Sequence, residues 1–308
     1  MGASATTLAF VMPGQGSQRT GMLDALPATA LRESLLDAAE ALTGRPLRAI
    51  ASNGPDEELA DTLTAQPLLY IADVAWATAL ADAGARPAVV AGHSLGEFAA
   101  LAFAGAFTVE TGLGLVCERA RLMAQATAAT PGAMAAVLGM ESDLVADLVA
   151  GLPGVWLAND NAPGQIVVSG THEGIELATR ELAAAGARKI VPLSVSGAFH
   201  SPLMAPAAEA FAGVLGTVTF NDTTVPVVSN AAPSATARGV DLRDRLIAQM
   251  ASPVRWSETM EHLRGLGVSL VVEAGPGGVL AGLARKAGMD TRAAETTGID
   301  GIMEAIRA

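Results

Sequence analysis

A serine set between glycines where a strand turns into a helix is arranged for nucleophilic attack. Val89-Val90-Ala91-Gly92-His93-Ser94-Leu95-Gly96 has that form: a short β-branched run, then Gly-x-Ser-x-Gly, then an alanine-rich helical stretch. In this context the motif is a nucleophile elbow, a sharp turn that holds the hydroxyl proud of the sheet edge. The glycines leave room where Cβ atoms would not fit, and free N–H groups at the helix start face the place where an oxyanion would form. In a chain with 33 glycines the spacing occurs by chance. The strand before it and the helix after it are what make Ser94 a candidate nucleophile.

Such a serine needs a base within hydrogen-bond reach. Of the four histidines, His172 and His262 lie in charged helical segments and read as surface residues. His93 adjoins Ser94, so its side chain points away from the hydroxyl and is better placed to touch a substrate. His200, in the loop Gly197-Ala-Phe-His-Ser-Pro202, is the candidate base; the bland alternative is a loop histidine satisfied by backbone. No acid is marked out by position to fix its tautomer, which leaves a backbone carbonyl for that task. Leu95 N–H is one oxyanion donor, and Gln15, through its amide or its backbone, is the natural second. Arg119 and Met123 share one helix face. The arginine either snorkels to solvent or enters the cleft to pair with a substrate carboxylate, and spacing leaves both open.

These residues require an α/β scaffold with a large core. The 308-residue chain is 51% hydrophobic, with a mean hydropathy of +0.40. No run approaches the roughly 18 apolar residues of a membrane span, so no membrane partner is expected. Leu8–Met12 has no basic region before it and reads as a first strand, not a signal peptide. Gly2 with Thr6 fits a myristoylation spacing only formally, because Leu8 onward is committed to the core. A net charge of −12 argues against nucleic acid. The single cysteine, Cys117, excludes internal disulfides, suits a reducing cytoplasm, and reads as a buried, inert thiol on an apolar helix face. No metal site is expected.

Along the chain, strand 7–12 runs into the glycine-rich loop Pro13–Gln18, followed by helices over 30–42 and 64–84 and another from Thr108 to about Thr127. Residues 132–195 then alternate as strand 132–139, helix 142–151, strands 155–159 and 165–169, helix 172–186 and strand 188–195, with Asn159–Gly164 as a turn. That βαββαβ order is ferredoxin-like. Strands at 225–229 and 269–273 follow, the second leaving through Glu273-Ala-Gly-Pro-Gly-Gly278. The expected fold is therefore a large α/β hydrolase-like body with a mainly parallel sheet, residues 1–130 and 197–308, interrupted by a ferredoxin-like subdomain at 131–196.

Taken in order, Pro13-Gly-Gln-Gly-Ser-Gln18, Thr64-Ala-Gln-Pro67, Gly92-His-Ser-Leu-Gly-Glu97, Arg119 with Met123, Asn161-Ala-Pro-Gly-Gln165, Ala198-Phe-His-Ser-Pro-Leu-Met204 and Glu273-Ala-Gly-Pro-Gly277 closely resemble the malonyl-CoA:acyl carrier protein transacylase family, related to the acyltransferase domains of fatty acid and polyketide synthases. The resemblance runs from about residue 8 to 287. It implies a ping-pong transfer with no bound cofactor: a coenzyme A thioester gives malonyl to Ser94, and the phosphopantetheine thiol of acyl carrier protein collects it. Carried over residue by residue, Ser94 matches the nucleophile and His200 the base, Leu95 and Gln15 N–H the oxyanion hole, and Arg119 the malonyl-carboxylate ligand. Gln249 matches the main-chain carbonyl that orients the histidine, while Gln66, His93 and Asn161 line the acyl and pantetheine path.

The resemblance also implies that His93 and Phe199 favour malonyl over methylmalonyl, and that Arg285 and Lys286 meet an acidic carrier helix. Ala120, in place of a common glycine, and Gly278, in place of a common lysine, depart from the pattern. The partners expected are malonyl-CoA and acyl carrier protein, the chain being a free-standing monomer. Competing readings are a Gly-x-Ser-x-Gly hydrolase or thioesterase, which would deliver the acyl group to water, a malonate-decarboxylase-type transacylase, and a non-catalytic carrier-binding subunit.

Overall fold

Short runs of valine, alanine and leucine, apolar at every position, suit strands covered on both faces rather than strands with one wet side. A computed structural model describes residues 6–195 and 197–308; Gly2 of the myristoylation spacing and the boundary residue Ser196 lie outside the described residues. In chain order the strands are β1 (Leu8–Met12), β2 (Val89–Gly92), β3 (Ala133–Leu138), β4 (Val155–Ala162), β5 (Gln165–Gly170), β6 (Lys189–Pro192), β7 (Val227–Val228), β8 (Ala235–Thr236), β9 (Val254–Arg255), β10 (Leu270–Glu273) and β11 (Thr291–Ala293). They form two sheets, ordered β11-β10-β1-β2-β7-β8 and β6-β3-β5-β4-β9. The chain is thus α/β with two sheets. Among the described residues no helix is long and apolar enough to cross a membrane.

The first sheet is parallel apart from the β7–β8 pair. Every residue of β1, β2 and β10 is buried. Strand alternation sends Leu8, Phe10 and Met12 into one core and Ala9 and Val11 into another on the opposite face, where Trp256 and Met260 wait. In parallel sheets the loops leaving the C-terminal strand ends gather along one edge, where α/β proteins bind ligands. Here those loops are Pro13–Gln18 after β1, the elbow after β2 and Ala274–Gly278 after β10.

The second sheet is antiparallel through β6, β3, β5 and β4, and carries the helices Ser142–Ala150 and His172–Ala184 over its own core of Val137, Val145, Ile166 and Leu182. Its fifth strand, β9, comes from far along the chain and pairs parallel to β4, tying the sheet to the segment that follows it.

Three readings of the sequence are corrected. Asn159–Gly164 is not a turn: β4 continues through Ala162, and only Pro163-Gly164 reverses the chain, with Gly164 at φ 72°. Pairing with β5 overrides the local turn preference of Asn and Asp, and two register shifts re-aim the side chains. The helix expected from residue 64 begins at Thr62, because Asp61 accepts a hydrogen bond from Leu63 N–H and caps it earlier. The helices Leu47–Asn53, Asp56–Ala60 and Ala294–Arg307 were not anticipated; the first two are too short to show a helical period.

Asp73 lies inside the helix Thr62–Asp82, fully buried, with neither carboxylate oxygen hydrogen-bonded among the described residues. A Cβ on Gly275 would fall 2.3 Å from Asp73 Oδ1. Burial, with the Glu273 carboxyl alongside, holds its pKa well above the usual carboxylate range. The folded chain therefore binds this proton more tightly than the unfolded chain, and stability falls as pH climbs above about 4. Asp73→Asn has no proton to lose: it should exceed the parent chain in stability by about 1–3 kcal/mol at pH 8, with the gap closing toward pH 4. Denaturant melts at pH 4, 6 and 8 measure this, and parallel slopes for the two proteins would refute it.

Candidate active site

The elbow is strained, and its glycines are sterically required. Ser94 sits at φ 51°, a region that non-glycine residues rarely occupy. A Cβ on Gly92 would fall 2.0 Å from the Gly96 carbonyl, and one on Gly96 would fall 2.1 Å from Met12 O. Strain of this kind, about 1–3 kcal/mol, persists only where the surroundings over-determine it. Asn230, just past β7, does so here: its Oδ1 accepts from Ser94 N–H at 2.6 Å, and its Nδ2 donates to Gly92 O at 2.6 Å. Gln249 Nε2 donates to Ser94 O at 2.6 Å.

His200 is the second non-glycine residue with positive φ, at 56°. Its Nε2 lies 2.7 Å from Ser94 Oγ. Nδ1 faces two main-chain carbonyls, Ser252 at 3.0 Å and Gln249 at 3.2 Å. Two acceptors on that side place the imidazole proton on Nδ1 and leave Nε2 bare toward the serine. Burial, then the charge of Arg119 and the nearby His93, depress the His200 pKa to about 3, so the ring is neutral. The carbonyl at Gln249 was expected; the one at Ser252 was not.

Leu95 N–H and Gln15 N–H both lack a hydrogen-bond partner among the described residues. The Gln15 side chain is committed elsewhere, with Nε2 donating to Ala60 O at 3.0 Å and Oε1 accepting from Thr62 Oγ1 at 3.3 Å. Of the two ways Gln15 could contribute, the backbone is therefore the free one. The helix Gly96–Ala104 begins beside Ser94 and directs its positive end at the same spot.

The structure sends Arg119 inward. It is 2% exposed, its guanidinium carbon 5.5 Å from the Phe98 ring centre. Nη1 donates to Gln66 Oε1 at 2.7 Å, and Nη2 to Ser94 Oγ at 3.1 Å and Gln249 Oε1 at 3.3 Å. Burial lowers its pKa to about 10, against the pull of Glu97, and it stays charged at neutral pH. Gln66 is held in turn by Thr62 Oγ1 at 2.6 Å and by Met123 Sδ at 3.4 Å, which explains the Arg119–Met123 face.

Glu97 was seen only as part of a motif. It is fully buried, and its Oε2 accepts from Gln249 Nε2 at 3.0 Å and Asn230 N–H at 3.2 Å. Burial raises its pKa to about 7. Asn230 left no trace beyond a polar residue where a short strand ends, since nothing local shows that this strand lies beside the elbow strand.

Ser94, Arg119, Phe199 and His200 line a cavity of about 80 Å³ with Gln15 and Leu95. His93, Gln15 and Asn159 also line its outward neighbour of about 410 Å³, which runs between the loops of the first sheet and strands β4 and β5. His93 Nε2 is 2.8 Å from Asn161 Oδ1, and its ring packs 5.3 Å from that of Trp256. At the far side of this cavity Lys286 Nζ donates to Gln165 Oε1, so one of the two expected carrier-facing cations is already engaged. His172 is exposed as expected. His262 is not a simple surface residue: half-buried, it accepts from Ala235 N–H at 2.9 Å. The half-buried Cys117 thiol is pushed up to about 12 by burial. Among the described residues no cluster of histidine, cysteine or carboxylate side chains is placed to hold a metal.

The acyl transferase domain family matches residues 9–304. A malonyl CoA-acyl carrier protein transacylase of Synechocystis is 44% identical over 278 residues, covering 90% of this chain and 92% of the relative. Among solved structures, the malonyl CoA-acyl carrier protein transacylase of Coxiella burnetii is 34% identical, with a TM-score of 0.91 and 98% of both chains covered. A malonyl-transacylase solved in complex with its type II polyketide acyl carrier protein is 35% identical, with a TM-score of 0.89 over 96% of this chain and 99% of that one. The chain belongs to the malonyl CoA-acyl carrier protein transacylase family of acyl transferase domains.

Proposed function

We propose that this enzyme transfers a malonyl group from coenzyme A, through an ester on Ser94, to the phosphopantetheine thiol of acyl carrier protein. The observation that carries the reading is the buried Arg119 guanidinium 3.1 Å from the Ser94 hydroxyl. A hydrolase of simple esters has no use for a desolvated cation there. An acyl group with a free carboxylate does, because the planar fork can pair with it bidentately.

In the first half-reaction Ser94 Oγ attacks the thioester carbonyl while His200 Nε2 takes its proton. The oxyanion forms between the N–H groups of Leu95 and Gln15, beside the helix start. Collapse breaks the C–S bond, and the departing thiolate takes the proton back from His200. In the second half His200 deprotonates the carrier's thiol, the thiolate attacks the Ser94 ester, and the serine leaves with the returned proton. The carbonyls of Gln249 and Ser252 keep the imidazole in the required tautomer throughout. These steps use protein groups and the two thiols alone. Gln66 sets the Arg119 fork, and His93 with Asn161 borders the outer cavity in the position suited to a pantetheine arm.

For the scaffold, we read residues 1–130 and 197–308 as a hydrolase-like body and 131–196 as an inserted ferredoxin-like unit, supported by the strand order β6-β3-β5-β4 with β9 added at its edge. As in the complexed relative, acyl carrier protein is the partner we assign.

Intact mass after brief incubation with malonyl-CoA should show an adduct that Ser94→Ala abolishes and that holo acyl carrier protein removes. Release of malonate without carrier would favour a hydrolase, and no adduct at all a non-catalytic role. Arg119→Ala loses charge-assisted hydrogen bonds and should slow malonyl loading by about 10²-fold relative to acetyl loading; equal losses for both would show that Arg119 does not read the carboxylate. Because the depressed His200 pKa keeps its base form populated, Ser94 should react with methanesulfonyl fluoride, an uncharged probe, at a nearly constant rate from pH 8 to pH 5. An ordinary histidine would halve that rate near pH 6.5.

A further inference from the structure

Arg119 has only neutral hydrogen-bond partners among the described residues: Gln66, Ser94 and Gln249. Its Nε has none. A guanidinium this deeply buried needs a counter-charge, and the structure supplies it one residue removed. Gln249 is the link, its Oε1 accepting from Arg119 Nη2 at 3.3 Å while its Nε2 donates to Glu97 Oε2 at 3.0 Å. Glu97 Oε2 is fully used, whereas Oε1 is buried with no partner among the described residues. That oxygen can carry a proton while Oε2 keeps both of its hydrogen bonds.

The other groups around Glu97 leave Arg119 as the charge it answers to. β1 and β7, which pack on its helix, contain no titratable residue. The helix Thr62–Asp82 brings Tyr70, whose O–H donates to Val109 O, and Asp73, which lies against Gly275 and Glu273; Asp82 ends that helix. The helix Val109–Ala129 brings Arg119 itself; of its other charged residues, Glu118 and Arg121 pair with each other at the surface, and Glu110 stands in the first turn beside Tyr70. From the elbow and the adjoining loop come His93 and His200, both driven toward the neutral form by burial.

We propose that Glu97 is the resident counter-ion of Arg119 in the empty site, and that it takes up one proton from solvent when the free carboxylate of the acyl group docks on that guanidinium. The proposal rests on the malonyl-transfer reading and deepens it. One guanidinium balances one carboxylate; a second anion in the same desolvated pocket costs more than protonating the first. The arrangement makes Glu97 a positioning residue: it acts through Gln249 on Arg119 and touches no reacting atom. Because burial already holds Glu97 at about 7, the linkage falls in an accessible window. Above that pH each docking event must import a proton, so KM for a carboxylated acyl group rises, by at most about tenfold per pH unit.

The test compares the unmodified enzyme with Glu97→Gln in the loading of Ser94 by malonyl-N-acetylcysteamine, a thioester without phosphates whose carboxylate is ionised throughout pH 6–9. KM for the unmodified enzyme should rise at least tenfold between pH 7 and pH 9, and that of Glu97→Gln should stay level. The acetyl thioester, lacking the carboxylate, should give level profiles in both. Glu273, which also stands near 7, is present in both proteins, so a difference between them belongs to Glu97. Equal malonyl slopes in the two proteins, or a level one in the unmodified enzyme, would overturn the proposal. If Glu97→Gln does not fold, proton uptake by Ser94→Ala on mixing with the malonyl thioester at pH 8, followed with an indicator dye, decides it: uptake supports the proposal, and binding without uptake overturns it. Absence of any Ser94 ester in the unmodified enzyme would instead overturn the transfer reading, a result distinct from a level profile.

Discussion

A guanidinium buried against a serine hydroxyl constrains everything near it. Arg119 stays charged at neutral pH and is almost wholly shut off from water, so the acceptors on its two Nη groups have to be held in place by other residues. Gln66 serves because Thr62 and Met123 fix its own amide. Gln249 serves because Glu97 and the Ser94 carbonyl fix its amide from the other side. The same cation suppresses protonation of His200, which keeps the imidazole competent as a base. The charge of Arg119, the neutral state of His200 and the position of the Ser94 hydroxyl are therefore set by one buried network, not by separate pairs.

That network rests on strain. Both Ser94 and His200 hold a left-handed backbone that side chains disfavour. The strain at Ser94 is balanced by Asn230 bridging the residues on either side of the turn and by close packing at Gly92 and Gly96. At His200 the carbonyls of Gln249 and Ser252 anchor the ring. Gln249 thus serves both strained residues, with its carbonyl toward the histidine and its amide toward the serine. A rotamer change at one position would be felt at both.

The two sheets divide the work. The parallel sheet supplies the elbow, the Gln15 loop and the buried polar network; the antiparallel sheet supplies Asn159, Asn161 and Val167 to the wall facing them. Among the described residues, the cavity at Ser94 and its outward neighbour are both lined from the two sides. β9 carries the chain from Ser252, which contacts His200, to Trp256, which packs on His93, and also pairs with β4. The wall and the proposed base are consequently positioned by one short segment.

What sequence alone determined was local. The elbow, the strands buried on both faces and the βαββαβ order were legible because each rests on neighbouring residues: periodicity, glycine placement and short-range turns. His200 could be singled out as the candidate base by elimination among four histidines, and its ring lies 2.7 Å from the Ser94 hydroxyl. The direction of Arg119 was not, since a helix face says nothing about what lies opposite it. Asn230, Ser252 and the Glu97 link depend on contacts across 136, 52 and 152 residues. The course of Asn159–Ala162 depends on a partner strand, which overrode a turn preference that the residues do possess. Only the tertiary structure could decide these, because burial, desolvation and hydrogen-bond pairing between distant segments are properties of the folded arrangement and leave no period or spacing in the chain.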